Sequence, residues 1–283
     1  MVYQDSKLEF ERIACMIEKS IISENGNIYY WLSENWIVDR KTLVFLHGMT
    51  ANHTMFEKQI EYFSKNYNLI TWDAPAHGKS RPYSNFSYPN AAEALKNILK
   101  SNQIEAAIMI GQSMGGFMIQ SFIKRYPEMV AAFVGIDTTP YGTFYYSKSD
   151  KWWLEQIEWM SYLYPIKMMK KAIAKQVSYT QESYENMMSM LEPYSKKELC
   201  QLMGIGYAGF LKDNCDLQIT CPVLLLLGDN DKTGKVSKYN REWADKTGFP
   251  LKIIKNACHN SNYDNPQEVN REIDRFIQGL PER

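Results

Sequence analysis

The sequence predicts an α/β fold: a mostly parallel central sheet with helices on both faces, interrupted by one helical insertion. Three observations predict it. Short apolar stretches ended by Gly, Asp or Asn alternate with segments at helical spacing, the rhythm of parallel strands joined by crossover helices. One region, about Pro140 to Gly209, offers no such strand and reads as helices throughout. The chain has 283 residues, 45% of them hydrophobic, which is enough for one large domain with a modest insertion.

Taken in order, Leu8, Ile13, Met16 and Ile17 fall at helical spacing, so a helix is expected over Leu8 to Ile21. Ile28 to Leu32 follows the turn-prone Glu24-Asn25-Gly26-Asn27 and reads as the second arm of a hairpin. Thr42 to Leu46 is a buried strand, Met55 to Phe63 a helix, Leu69 to Trp72 a strand and Ala91 to Leu99 a helix. Ala106 to Ile110, Val130 to Ile136, Val223 to Leu227 and Leu251 to Ile254 repeat the strand signature. Val269 to Ile277 closes the chain as an amphipathic helix, with Asn265 and Pro266 as its start signal. Within the insertion, Trp153, Ile157, Met160 and Tyr164, then Ile166, Met169 and Ile173, then Tyr184, Met188 and Leu191 are helically spaced, and Pro165 and Pro193 separate the helices. This divides the chain into a core of residues 1–139 and 210–283 and a lid of residues 140–209.

Composition narrows the function. Lys plus Arg and Asp plus Glu are each 32, so no strong net field is expected to draw in nucleic acid or an anionic membrane surface. A neutral or weakly charged small molecule fits better as a partner, and a homo-oligomer is compatible with the sequence. The five cysteines are scattered and form no Cys-x-x-Cys pair, which argues against a disulfide framework and a metal site, and no cofactor motif is present. Charges interrupt the first twenty residues, as a secretory signal would not allow, and no apolar run reaches the roughly 20 residues that span a bilayer. The expectation is a mature, cytoplasmic chain.

The chemistry gathers around Gly111-Gln112-Ser113-Met114-Gly115. It follows a predicted strand and precedes a helical pattern through Phe117, Ile119, Phe122 and Ile123, the context in which a serine is held on a sharp turn as a nucleophile. Side chains at the flanking glycines would collide with the neighbouring strand and helix. A serine hydroxyl needs a base. His259 follows the last predicted strand, where a loop at the carboxyl edge of the sheet can carry it above Ser113; His47, His53 and His77 precede the serine and read as structural or solvated residues. A carboxylate must then orient the imidazole. Asp231, just past Val223 to Leu227, is preferred, with Asp137 after Val130 to Ile136 as the alternative and Asp229 as a turn residue. The backbone N–H groups of Met114, directly after the serine, and Met49, after His47-Gly48, are the candidate oxyanion donors.

These residues resemble the α/β-hydrolase superfamily, in particular its lid-bearing, esterase-like members. The resemblance rests on His47-Gly48, on Asp73-Ala74-Pro75-Ala76-His77-Gly78-Lys79-Ser80, on Gly111 to Gly116, on Gly228 to Asp231 and on His259, in the order serine, acid, histidine. Ala76 departs from the glycine usual there. A serine at the turn argues against the haloalkane dehalogenase and epoxide hydrolase activities of similar proteins, which use aspartate. Gly78-Lys79-Ser80 is similar to the end of a phosphate-binding loop, but Asp73 stands where that loop needs glycine.

The insertion is rich in Trp, Tyr and Met, most of them expected to pack the lid and the rest to line an apolar acyl pocket. Candidates for the pocket wall are His47, Tyr141, Trp153 and Met160. The function expected is hydrolysis of an uncharged, moderately apolar ester or thioester. Acyl transfer, carbon–carbon bond hydrolysis on the same triad, and a non-catalytic ligand receptor are the alternatives.

Overall fold

The computed structural model describes residues 16–281. Eight strands form one sheet: β1 (Met16–Ser23), β2 (Gly26–Ser33), β3 (Thr42–Leu46), β4 (Asn68–Trp72), β5 (Ala107–Gln112), β6 (Val130–Ile136), β7 (Val223–Gly228) and β8 (Leu251–Ile254), in the spatial order β1-β2-β4-β3-β5-β6-β7-β8. β1 and β2 pair antiparallel, as do β2 and β4. Every pairing from β4 to β8 is parallel. The central strands are mostly apolar because both their faces are covered; β3, β5 and β7 are buried at every position.

The covering helices are α1 (Glu57–Phe63), α2 (Tyr88–Ser101) and α3 (Met114–Ile123), then α4 (Lys148–Ser161), α5 (Ile166–Val177), α6 (Gln181–Leu191) and α7 (Lys196–Ala208), and finally α8 (Val236–Thr247) and α9 (Pro266–Gln278). α1 packs beside α9, and α2 packs beside α3. Gln59 joins the first pair by donating to Asn270 Oδ1 and to the Asn262 carbonyl, each at 2.9 Å. α9 starts where Asn265 caps it and Pro266 fixes the first turn, and it buries Val269, Ile273 and Ile277, one stripe at i, i+4 and i+8.

The expected N-terminal helix is not found over its described part. Met16 to Ile21 belong to β1, and the rest of that expectation lies outside the described residues. The cause is pairing: Met16 to Ser23 lie opposite Ser33 to Gly26 across a two-residue turn, and the β-branched Ile17, Ile21 and Ile22 suit an extended chain. Partner and propensity together outweigh a short run of helical spacing.

Helices α4 to α7 all fall between β6 and β7, with Pro165 capping α5 and Pro193 between α6 and α7. α4 packs on α7, and α5 on α6. Ser147 and Ser195 begin α4 and α7 with capping boxes closed by Asp150 and Glu198. Asp213 returns the chain to the core, accepting from Ser121 Oγ at 2.6 Å and from Arg125 Nη2 at 2.7 Å on and just past α3.

Candidate active site

Ser113 sits between β5 and α3 with φ 50° and ψ −115°, a conformation that strains any side-chain-bearing residue. The turn is held from both sides: the Ser113 N–H donates to the Ile136 carbonyl at 2.8 Å, and Thr138 Oγ1 donates to the Ser113 carbonyl at 2.7 Å. The flanking glycines are required by space. A Cβ at Gly115 would run into the Leu46 carbonyl, and one at Gly111 would stand 2.6 Å from the Gly115 carbonyl carbon. The serine thereby stands at the turn just before the first residue of a helix.

His259 Nε2 lies 2.8 Å from Ser113 Oγ, and its Nδ1 lies 2.8 Å from Asp231 Oδ2. Asp231 is held in turn by the Thr233 N–H, 2.8 Å from its Oδ1. The loops bearing acid and imidazole brace each other. Asn230 N–H donates to the Ala257 carbonyl at 2.9 Å, Asp229 Oδ1 accepts the Ala257 N–H at 3.2 Å, and a Cβ at Gly228 would clash with the Cys258 carbonyl. Asp229 is thus the turn residue, and Gln112 Nε2 ties β5 to the His259 carbonyl at 2.7 Å.

The electrostatics follow from burial and pairing. Burial opposes an imidazolium at His259, but the facing Asp231 carboxylate outweighs that and raises its pKa above the ordinary 6.5. Burial likewise opposes the Asp231 carboxylate, and the facing imidazole overcomes it and holds the pKa low. Asp137 is the reverse case: burial, with Asp231 nearby, raises it to about 8. It does not bond the imidazole; it accepts from the Gly228 N–H at 2.7 Å and from Ser261. Of the two candidate acids, Asp231 is therefore the one brought to the histidine.

The other three histidines are buried in the fold. His47 Nε2 accepts the Ala74 N–H at 3.0 Å, so its Nδ1 carries the proton and donates to the Gly48 carbonyl at 2.7 Å; burial holds its pKa down at about 4. His77 is pushed to about 3 by burial and bonds the Pro75 carbonyl through Nδ1 at 2.9 Å. His53 pairs with the buried Asp73 at 2.8 Å and stacks on Trp31. Together they shape the loops after β3 and β4.

Ser113 and His259 open into a cavity of about 190 Å³ whose wall is mostly apolar. Met49 and Met114 are both on that wall, and Gly48 packs against Gln112 and Ser113, so the loop after β3 faces the serine. The candidates for the pocket wall are corrected. His47 lies beneath the floor, its ring nitrogens engaged by backbone. Tyr141 is one layer back, packed behind Phe117 and Phe210. Trp153 is 56% exposed on the outside of α4, and Met160 is half-buried away from the cavity. The insertion contributes instead Leu154, Ile157, Ile173, Val177, Met187 and Tyr207. Leu154 and Ile157 lie on the side of α4 away from the exposed Trp152 and Trp159, with Trp153 at its border, and nothing in the spacing alone says which stripe turns inward.

Comparison with known proteins agrees with this architecture. The family described as "alpha/beta hydrolase fold" matches residues 41–163. An uncharacterized hydrolase, YugF of Bacillus subtilis (strain 168), is 32% identical over 117 residues, 41% of this chain and 42% of that protein. A 3-oxoadipate enol-lactonase 2 of Acinetobacter baylyi is 24% identical over 249 residues, 85% of this chain and 90% of the relative. The structure of carboxylesterase CesB (YbfK) from Bacillus subtilis superposes with a TM-score of 0.74 at 19% identity, covering 98% of this chain and 97% of the other. Three of the curated relatives are matched over only 33% to 42% of their own length, so those matches speak for the shared core. On sheet order, serine turn and these likenesses, the chain has the α/β-hydrolase fold and is similar to hydrolases of that superfamily.

Proposed function

We propose that the protein is a serine hydrolase that cleaves an uncharged, moderately apolar ester or thioester through an acyl-enzyme. The observation that carries this is the unbroken line Asp231–His259–Ser113, with 2.8 Å at each junction, opening into an apolar cavity. His259 takes the proton of Ser113 as its Oγ attacks the acyl carbon, while Asp231 holds the tautomer with the proton on Nδ1 and stabilises the imidazolium. The tetrahedral oxyanion is received by the N–H groups of Met49 and Met114, the latter at a helix N-terminus; each such donor is worth about two to three powers of ten in rate. His259 then protonates the leaving oxygen or sulfur, and water, activated by the same imidazole, releases the acid.

Residues 140–209 act in this reading as a lid whose inner wall selects the acyl group. The aliphatic and methionine lining supports an apolar acyl portion, because a charged one would have to be desolvated without a partner. A fluorophosphonate probe should label the wild type and fail on Ser113→Ala, and an ester and thioester panel should favour uncharged acyl groups. Unlabelled wild-type protein would point to a ligand receptor. Transfer to added alcohol or amine outrunning hydrolysis would make it an acyltransferase.

A further inference from the structure

Among the described residues, half of the exposed large hydrophobic side chains fall between Trp152 and Met168. Three of them share one stripe of α4 and its end. Trp152, Gln156, Trp159 and Leu163 succeed one another at i, i+4, i+7 and i+11 along and just past α4, and Gln156 fixes the Trp159 indole, its Oε1 accepting from Trp159 Nε1 at 2.8 Å while its Nε2 donates to the main-chain carbonyl of Trp152 at 3.1 Å. Leu163, 71% exposed, and the exposed Tyr164 and Met168 follow in the chain toward α5. The opposite stripe of α4, Leu154 and Ile157, lines the cavity of Ser113. One helix thus separates the reaction centre from an outward aromatic face.

Glu155 and Glu158 are exposed on α4, but the charge on α5 is one-sided, although the chain as a whole is neutral. From Trp159 to Gln181 there is no Asp or Glu, while Lys167, Lys171 and Lys175 are exposed at i, i+4 and i+8 of α5. Lys170, between them, is buried and donates to the Glu192 carbonyl at 2.8 Å. Tryptophan and tyrosine beside an apolar strip, flanked by lysines, are what a surface seated in the headgroup layer of a bilayer requires. A two-fold partner copy would bring the same lysines face to face, which disfavours self-association through this face. No helix among the described residues is long and apolar enough to cross a membrane, so contact at this face is interfacial.

We propose that the outer face of α4 and α5 docks on a lipid bilayer surface carrying anionic headgroups, with Trp152, Trp159 and Leu163 inserted and Lys167, Lys171 and Lys175 paired to lipid phosphates. Docking turns the helices over the cavity toward the bilayer. If the hydrolase reading holds, an acyl lipid drawn from that surface is the substrate class reached most directly; the docking itself does not depend on turnover.

The test is sedimentation of the full chain with vesicles of phosphatidylcholine, with and without phosphatidylglycerol, read together with tryptophan emission. Binding to the anionic vesicles, weakened by salt and accompanied by a blue shift, is expected. A Trp152→Ser/Trp159→Ser variant should abolish the shift. A Lys167→Glu/Lys171→Glu variant should lower partition by about tenfold or more, the scale of removing two lysine–headgroup attractions. Both should keep the wild-type circular dichroism spectrum, fluorophosphonate labelling and turnover of a soluble short-chain ester. Equal partition of wild type and variants would overturn the proposal. So would a wild type that sediments as a dimer and becomes monomeric in the tryptophan variant, since the strip would then be a protein interface. Neither result would touch the triad, which the labelling reports separately.

Discussion

Ser261 gives both its polar groups to Asp137: its hydroxyl lies 2.5 Å and its N–H 3.2 Å from Asp137 Oδ2. Since Ser261 is two residues past His259, the buried carboxyl at the end of β6 anchors the loop that presents the imidazole. Asp137→Ala would leave these donors and the Gly228 N–H without their acceptor, at about 1–3 kcal/mol for each group left unsatisfied. Thermal melts should show a loss of several degrees. Asp137→Asn should lose less, because its amide oxygen can still accept.

The same carboxyl predicts a pH trend in stability. Its folded pKa of about 8 stands above the ordinary 3.8, so the native state keeps a proton that the unfolded chain releases. Its stabilising contribution is complete below the ordinary value and is lost as pH climbs through about 8. The gap in Tm between wild type and Asp137→Asn should therefore shrink from about pH 5 to about pH 9. A gap that widens with pH would mean that Asp137 is ionised in the folded protein.

Activity should follow His259. The reaction needs the imidazole neutral, and its pKa lies above 6.5, so kcat/KM should rise with pH through a midpoint on the alkaline side of that value. Asp231→Asn should move the midpoint to lower pH and reduce kcat by about four powers of ten, since the tautomer is no longer enforced. Rate profiles of both proteins check this.

Ala76 has φ 65°, a left-handed conformation that costs a residue bearing a Cβ about 1–2 kcal/mol. Ala76→Gly should relieve part of this and raise Tm by about 2–4 °C for each kcal/mol recovered. No change in the melt would mean that the loop holds this conformation without strain. The glycine usual at this place in similar proteins thus has a backbone reason.

Ile173 lines the cavity from α5. Ile173→Trp should fill part of it and move the preferred acyl group toward shorter chains, with acetyl esters least affected. An unchanged chain-length profile across a nitrophenyl ester series would place the acyl group elsewhere.

Much of this was legible in residue order. Val223 to Leu227 and Leu251 to Ile254 are wholly or largely aliphatic and have clear ends, and Asn265-Pro266 can do little but start a helix. The meeting of Ser113, Asp231 and His259 could be anticipated because strand-end loops on one edge of a parallel sheet converge. Met16 to Ile21 misled because pairing with β2, a non-local contact, decided their state. The pocket wall misled for a different reason. α4 carries apolar residues over a broad arc, so its periodicity is compatible with Trp153 or with Leu154 facing inward, and only packing against α7 and the core selects. The exposed tryptophans are the other side of that ambiguity.

β6 and β7 are hydrogen-bonded neighbours, with Phe133 opposite Val223, yet four helices intervene between them. The chain therefore leaves the sheet and re-enters it at adjoining positions, like a drawer in a cabinet. Evolution could lengthen, trim or replace that drawer while the serine, the imidazole and its acid stayed on the frame, so the taste of the protein for one molecule over another can drift independently of its chemistry.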